Sequence, residues 1–210
     1  MLKNILFFAS LFAALPALAQ TPPARFEITP FGAYSFGGTF NDIESDLSLK
    51  LDDSASYGLI FDFREGYNTQ WEVLYSKQST EARASGLISG DPTLDVDIHY
   101  LQGGGTYQGD GQLWRPYLAA TIGAAHFNVR TPGYNSDTFF SFSLAPGLQF
   151  RPNERVGLRL EARLYGTLVR SDSALFCVSD PAGGTDGCAI TIAGEVLWQL
   201  QAMAGIVFRF

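Results

Sequence analysis

Residues 156–165 read Val156-Gly157-Leu158-Arg159-Leu160-Glu161-Ala162-Arg163-Leu164-Tyr165. Leu158, Leu160, Ala162 and Leu164 fall at every second position, and Arg159, Glu161, Arg163 and Tyr165 fill the gaps. Successive side chains of a β-strand point to opposite faces, so this spacing gives one aliphatic face and one ionic face. A helix would mix the two sets around its circumference. The segment therefore predicts a strand that meets an apolar medium on one side and charged partners on the other.

The same period of two recurs in seven further segments. The first sets Phe26, Ile28, Tyr34 and Phe36 against Glu27, Thr29, Ala33 and Ser35, with Phe31 as an exception. The second keeps Leu47, Leu49, Leu51, Tyr57, Leu59, Phe61 and Phe63 on one parity, opposite Asp62 and Arg64. The third sets Trp71, Val73 and Tyr75 against Glu72 and Ser76, and the fourth sets Leu94, Val96, Ile98 and Tyr100 against Asp95, Asp97 and His99. The fifth, residues 114–127, is small and apolar on both parities and shows no register. The sixth sets Phe140, Phe142, Leu144, Leu148 and Phe150 against Ser141, Ser143, Ala145 and Gln149. The last sets Trp198, Leu200, Ile206, Phe208 and Phe210 against Gln199, Gln201 and Arg209.

Composition agrees. The chain of 210 residues is 46% hydrophobic, 14% aromatic and 17% charged, against about 25% charged in an ordinary soluble domain. Its formal charge of -7 argues against nucleic acid as a partner, since phosphate binding needs a basic face. Residues 1–19 carry Lys3, an apolar run over residues 5–14 and Ala17-Leu18-Ala19, the pattern of a secretory signal peptide that leaves residues 20–210 as the mature domain. After it no apolar run approaches the length a membrane-spanning helix needs.

Alternation alone also suits a soluble sheet, so the connections decide. Short turns rich in Gly, Pro, Asn and Asp occupy residues 65–68, 108–111 and 151–154, and longer connections follow the first, third, fifth and seventh segments. Short turns at one end and long loops at the other characterise bacterial outer-membrane barrels, with both chain termini at the periplasmic end. Lipid cannot satisfy free N–H and C=O groups, so a spanning sheet must close on itself. The expected fold is all-β: an eight-stranded antiparallel up-and-down transmembrane β-barrel. A soluble barrel exported to the periplasm would carry more Lys and Glu on its outer face. An eight-stranded barrel has an interior just filled by side chains, and we expect a lumenal charge network of Glu72, Asp95, Asp97, Arg159, Glu161 and Arg163. Facing Arg159 or Arg163 to the bilayer midplane would cost about 2–4 kcal/mol each. Trp71, Trp114, Phe150 and Phe208 suit a periplasmic aromatic girdle, and Phe36, Phe140 and Trp198 an outer one.

Three segments carry a family resemblance: Phe26-Glu27-Ile28-Thr29-Pro30-Phe31-Gly32; Leu94-Asp95-Val96-Asp97 followed by Gly103-Gly104-Gly105-Thr106-Tyr107; and the terminal Gly205-Ile206-Val207-Phe208-Arg209-Phe210. Together they resemble the small outer-membrane β-barrel family (porin-family or OmpA- and OmpX-like barrel domains). The resemblance implies a bacterial outer-membrane location. It also implies that Phe208 and Phe210 form a C-terminal signal read by the outer-membrane assembly machinery. No peptidoglycan-binding domain follows the last strand in this sequence.

Candidate chemistry is sparse. Cys177 and Cys188 lie in one Gly, Asp and Ser-rich stretch, which in an exported protein reads as a local disulfide. With no histidine nearby, two thiolates do not complete a zinc shell. Asp97, His99 and Ser141 or Ser143 could be imagined as a hydrolytic triad if all faced the lumen, though no oxyanion hole is apparent. Asp42, Glu44, Asp46, Asp52 and Asp53 make an acidic first loop without EF-hand spacing, better read as a solvated surface than as a calcium site. Gly103 to Gly105 precede no helix and no Lys-Ser or Lys-Thr pair, so they suit close strand packing rather than phosphate binding. No cofactor and no metal are implied. The expected function is that of a non-enzymatic integral outer-membrane protein, a monomer in contact with outer-membrane lipid and lipopolysaccharide, its loops serving structural or interaction roles. A small passive channel and a lipid-acting enzyme are the alternatives.

Overall fold

The computed structural model describes residues 25–41, 48–85, 93–130, 135–169, 177–179, 185–188 and 196–210, with backbone alone for 39–41, 48–49, 84–85, 177–179 and 185–188. The proposed signal peptide lies outside these residues. The strands are β1 (Phe26–Phe36), β2 (Thr39–Asn41), β3 (Ser48–Leu51), β4 (Ser54–Arg64), β5 (Thr69–Ser85), β6 (Thr93–Gln108), β7 (Trp114–Val129), β8 (Asp137–Phe150), β9 (Val156–Leu168), β10 (Cys177–Ser179), β11 (Thr185–Cys188) and β12 (Val196–Arg209). The long strands β1, β4, β5, β6, β7, β8, β9 and β12 are the eight staves, each antiparallel to the next. The last closes on the first through pairs such as Ile28↔Phe208 and Phe36↔Leu200. Short β2 and β3 pair with each other, and β3 continues onto the upper part of β5. Closure leaves no stave with an unpaired edge, which is the condition for a sheet in hydrocarbon.

Side-chain direction follows the period of two. On β9, Leu158, Leu160 and Leu164 are exposed while Arg159, Glu161 and Arg163 are buried. β7, unreadable from sequence, turns Trp114, Leu118 and Ile122 outward and Arg115, Tyr117, Ala119 and Thr121 inward. Trp71, Trp114 and Trp198 stand about half exposed on the outer wall, at 56, 50 and 51%, with the Trp114 and Phe150 rings 4.5 Å apart. Phe31 does face inward, and its cross-strand partners on both sides are glycines, Gly58 and Gly205. A Cβ on Gly58 would meet the Phe31 ring and the Tyr75 carbonyl oxygen, so the glycine makes room for the one aromatic that β1 sends inside.

Two expectations are corrected by the register. The second segment does not keep one parity: Leu51 is fully buried, whereas Tyr57, Leu59, Phe61 and Phe63 are exposed. From Leu51↔Ala82 to Ser56↔Gln78, five steps along the first strand oppose four along β5. One extra residue at Asp52-Asp53 makes a bulge that exchanges the faces.

The second correction concerns β6. Leu94, Val96, Ile98 and Tyr100 are 2% exposed or less and belong to the main apolar cluster, with Phe127, Phe139 and Leu197. Asp95, Asp97 and His99 therefore face outward, opposite Glu81, Ser79 and Lys77 of β5. The cause is strand length. β5, β6 and β7 run for 17, 16 and 16 residues, more than the 9–11 needed to cross a bilayer, so their outer ends project into water. There polarity inverts: the interior becomes apolar and the exterior charged.

Candidate functional site

Across the middle of the barrel β4, β5 and β9 bring charges together on adjacent inward positions. Arg159 Nη1 lies 3.0 Å from Asp62 Oδ2, and its Nη2 lies 2.7 Å from both Glu72 Oε2 and Glu161 Oε2. Arg163 donates to Glu72 Oε1 at 2.6 Å and to Glu161 Oε1 at 2.7 Å. All five of these side chains show no exposure to solvent. The remaining bonding capacity of the two acids is taken up by Thr106 Oγ1, donating to Glu72 at 2.9 Å, and by Tyr117 Oη, donating to Glu161 at 2.7 Å. Arg159 also sits over the Tyr117 ring, 4.6 Å from its centroid. A buried ion pair holds only when its geometry is good and its spare lone pairs are met, and here almost all are; Asp62 Oδ1 is left without a hydrogen-bond partner.

Beside the ions a glycine lets neighbouring staves approach closely. Gly104 lies between Glu72 and Thr121 in the register, and a Cβ there would strike the Ala120 carbonyl. Above the ions is a neutral layer: Gln102 Oε1 accepts from Thr121 and Ser143, each at 2.8 Å, and Gln201 Nε2 reaches Ser35 and Ser56 at 3.1 and 2.9 Å. Stacked Tyr100 and Tyr165, 4.1 Å between ring centroids, separate this layer from the apolar cap. The lumen is a packed stack of side chains.

Of the expected network, Glu72, Arg159, Glu161 and Arg163 meet in this plug; Asp95 and Asp97 do not. They stand on the outer wall, where Arg130 Nε lies 3.4 Å from Asp97 and Lys77 Nζ 3.3 Å from it. Asp62 and Tyr117 join the plug from outside the expected set. Asp62 shares parity with Arg64 in an otherwise apolar strand, which was the available signal; Tyr117 sits in β7, whose two faces look alike in sequence. The imagined triad fails on direction: Asp97 and His99 lie on the face of β6 opposite its inward Val96, Ile98 and Tyr100, Asp97 covered there by its neighbours at 7% exposure, while Ser141 and Ser143 are buried in the lumen.

Lys77, His99, His126 and Thr138 are successive cross-strand partners around the outer wall. Below this row the wall is apolar, and above it carries Asp95, Asp97, Glu81, Arg83 and Arg130, so the row marks the outer limit of the membrane-spanning segments. Tyr75 Oη and His99 Nδ1 are 3.0 Å apart, and His126 Nδ1 and Thr138 Oγ1 are 2.8 Å apart. Partial burial, then the charge of Lys77 and the neighbouring His126, hold His99 below its usual pKa against the opposing pull of Asp97. Burial raises the Asp97 carboxyl, but hydrogen bonds from Ser79 and Lys77 and the charges of Arg130 and Lys77 outweigh it and keep its pKa low. In the acidic first loop, Asp52 pairs with Arg83 at 2.6 Å and Asp53 accepts from the Gly37 amide at 2.7 Å; Asp42, Glu44 and Asp46 lie outside the described residues.

The family model for the outer membrane protein beta-barrel domain matches residues 5–185. The chain belongs to that family. No curated protein matches the sequence significantly. Among solved structures, Neisserial surface protein A is similar at 15% identity with a TM-score of 0.58, covering 88% of this chain and 97% of that one. The N-terminal β-barrel domain of Pseudomonas aeruginosa OprF matches at 13% identity and a TM-score of 0.48, covering 88 and 98%. Ail of Yersinia pestis matches at 16% and 0.43, covering 89 and 99%. At these identities the first likeness speaks to fold, and with the family match it establishes a bacterial outer-membrane barrel.

Proposed function

We propose that this outer-membrane barrel is a non-enzymatic, non-conducting scaffold that presents its long loops at the cell surface for structural or interaction roles. In this reading the signal peptide is cleaved, Phe208 and Phe210 are read by the assembly machinery, and the mature chain is a monomer among lipid and lipopolysaccharide. The supporting observation is the plug: Arg159 and Arg163 are the largest fully buried side chains among the described residues, and each is bonded to carboxylates from more than one stave. A water-filled path past them would leave them hydrated. The loop between β9 and β12 carries the hairpin β10–β11, in which Cys177 and Cys188 are direct cross-strand partners. Directly opposed residues of an antiparallel ladder have Cα atoms within the span a disulfide bridges, which supports a clasp there.

Planar-bilayer recording tests the reading. Purified barrel should give no steady conductance, and a surface tag placed after Gly183 should be accessible on intact cells. Steady single-channel steps that change when Arg163 is neutralised would replace the scaffold with a channel.

A further inference from the structure

The periplasmic mouth is built unlike the plug above it. Three arginines gather on a single carboxylate: Arg64, Arg151 and Arg209 approach Glu27 at 3.9, 3.5 and 3.3 Å. Arg115 joins through Gln108, whose Oε1 accepts from Arg115 Nη1 at 3.2 Å and from Arg151 Nη2 at 2.9 Å. The group carries a formal charge of +3 in a chain whose total is -7. Each guanidinium offers five donors and no acceptor, and the local acceptors run short. Arg115 Nε, Arg209 Nη2 and Gln70 Nε2 have no hydrogen-bond partner among the described residues, although these residues are only 8, 7 and 4% exposed. Against these, the unpartnered acceptors nearby are Asn68 Oδ1, in the turn beside Gln70, and Asp62 Oδ1, on the cross-strand partner of Glu27. Arg64 and Arg151 keep 23 and 12% of their side chains exposed, so the cluster opens to the periplasm.

An excess of fixed guanidinium donors around too few oxygens is a complement to an oxyanion. Phosphate suits it best, since it offers several acceptor oxygens and pairs with the guanidinium fork bidentately. We propose that this mouth binds a phosphate group, supplied either as soluble phosphate or as the headgroup of an anionic lipid in the periplasmic leaflet. The bound group would take up the free N–H groups of Arg115 and Arg209 and balance the charge that Glu27 leaves over.

The test uses the full barrel refolded in dodecyl maltoside, a detergent without phosphate, titrated with inorganic phosphate by calorimetry and by broadening of the ³¹P resonance. Saturable binding is expected, weakened at least tenfold by Arg115→Gln and also by Arg115→Lys, which keeps the charge but loses Nε. Displacement of bound phosphate by added phosphatidylglycerol assigns the site to a headgroup; failure to displace assigns it to soluble phosphate. A wild-type measurement guards against variants that do not fold: phosphate should protect Arg115 and Arg209 from phenylglyoxal, read by mass spectrometry. Absence of saturable binding by the wild type, or protection only at arginines outside the mouth, overturns the proposal.

Discussion

Replacing Arg159 by methionine tests the plug directly, because it keeps most of the side-chain length and removes only the guanidinium. That group faces three buried carboxylates, Asp62, Glu72 and Glu161, at 3.0, 2.7 and 2.7 Å. Its loss leaves all three to Arg163, which reaches only Glu72 and Glu161. Removing one partner of a buried pair costs about 3–5 kcal/mol, and Arg159→Met strands Asp62 entirely, so the cost belongs at the upper end. Arg163→Met should cost less: it breaks two pairs, and the Thr121 and Ser143 hydroxyls it releases already have Gln102 as a partner. In the Arg159→Met background, Asp62→Asn should then restore stability, giving a coupling of about 0.5–3 kcal/mol in a double-mutant cycle. The assay is urea unfolding in phospholipid vesicles, followed by the fluorescence of Trp71, Trp114 and Trp198. If Arg159→Met falls within about 0.5 kcal/mol of wild type, as a surface change would, or if Asp62→Asn adds without coupling, the guanidinium does not neutralise these acids and the reasoning fails.

Gly58→Ala should destabilise the barrel by about 1–3 kcal/mol, because its Cβ would lie 2.5 Å from Phe31 Cζ; Phe31→Leu in the same chain should recover part of the loss in the same unfolding assay. Since His99 is held below its usual value of 6.5, the folded state resists its protonation, so stability should be full above that pH and decline as pH falls through the lowered value. The decline between pH 7.5 and 5.5, measured by urea midpoints, should shrink in His99→Gln; an unchanged profile would assign it elsewhere. Deleting Phe210 should reduce the heat-modifiable folded band in outer-membrane fractions several-fold, whereas Phe26→Ala, on the same wall, should not.

The staves and their closure were legible because alternation over many residues admits few alternatives, and β9 shows it without interruption. Which face points inward is a separate question that alternation cannot answer. In β9 the ions settle it, since Arg159, Glu161 and Arg163 lie at bilayer depth, where only the lumen accepts them. In β6 the same rule misleads. Asp95 and Asp97 are as ionic as Glu161, yet they sit above the Lys77–His99–His126 row, where the medium outside is water and there is no penalty for facing it. The strand itself held the correction: its even positions are polar at Gln102, Thr106 and Gln108 and apolar at Leu94, Val96, Ile98 and Tyr100. A face that changes polarity without changing parity has crossed from one solvent to another. The change on β6 at His99 lies beside the changes at Lys77 on β5 and His126 on β7, since these residues are successive cross-strand partners. Strands tilted by about 35–45° carry successive partners only a few ångström along the axis, so three neighbouring strands change polarity within one narrow band, as a membrane surface imposes on all of them and the packing of a single pair does not.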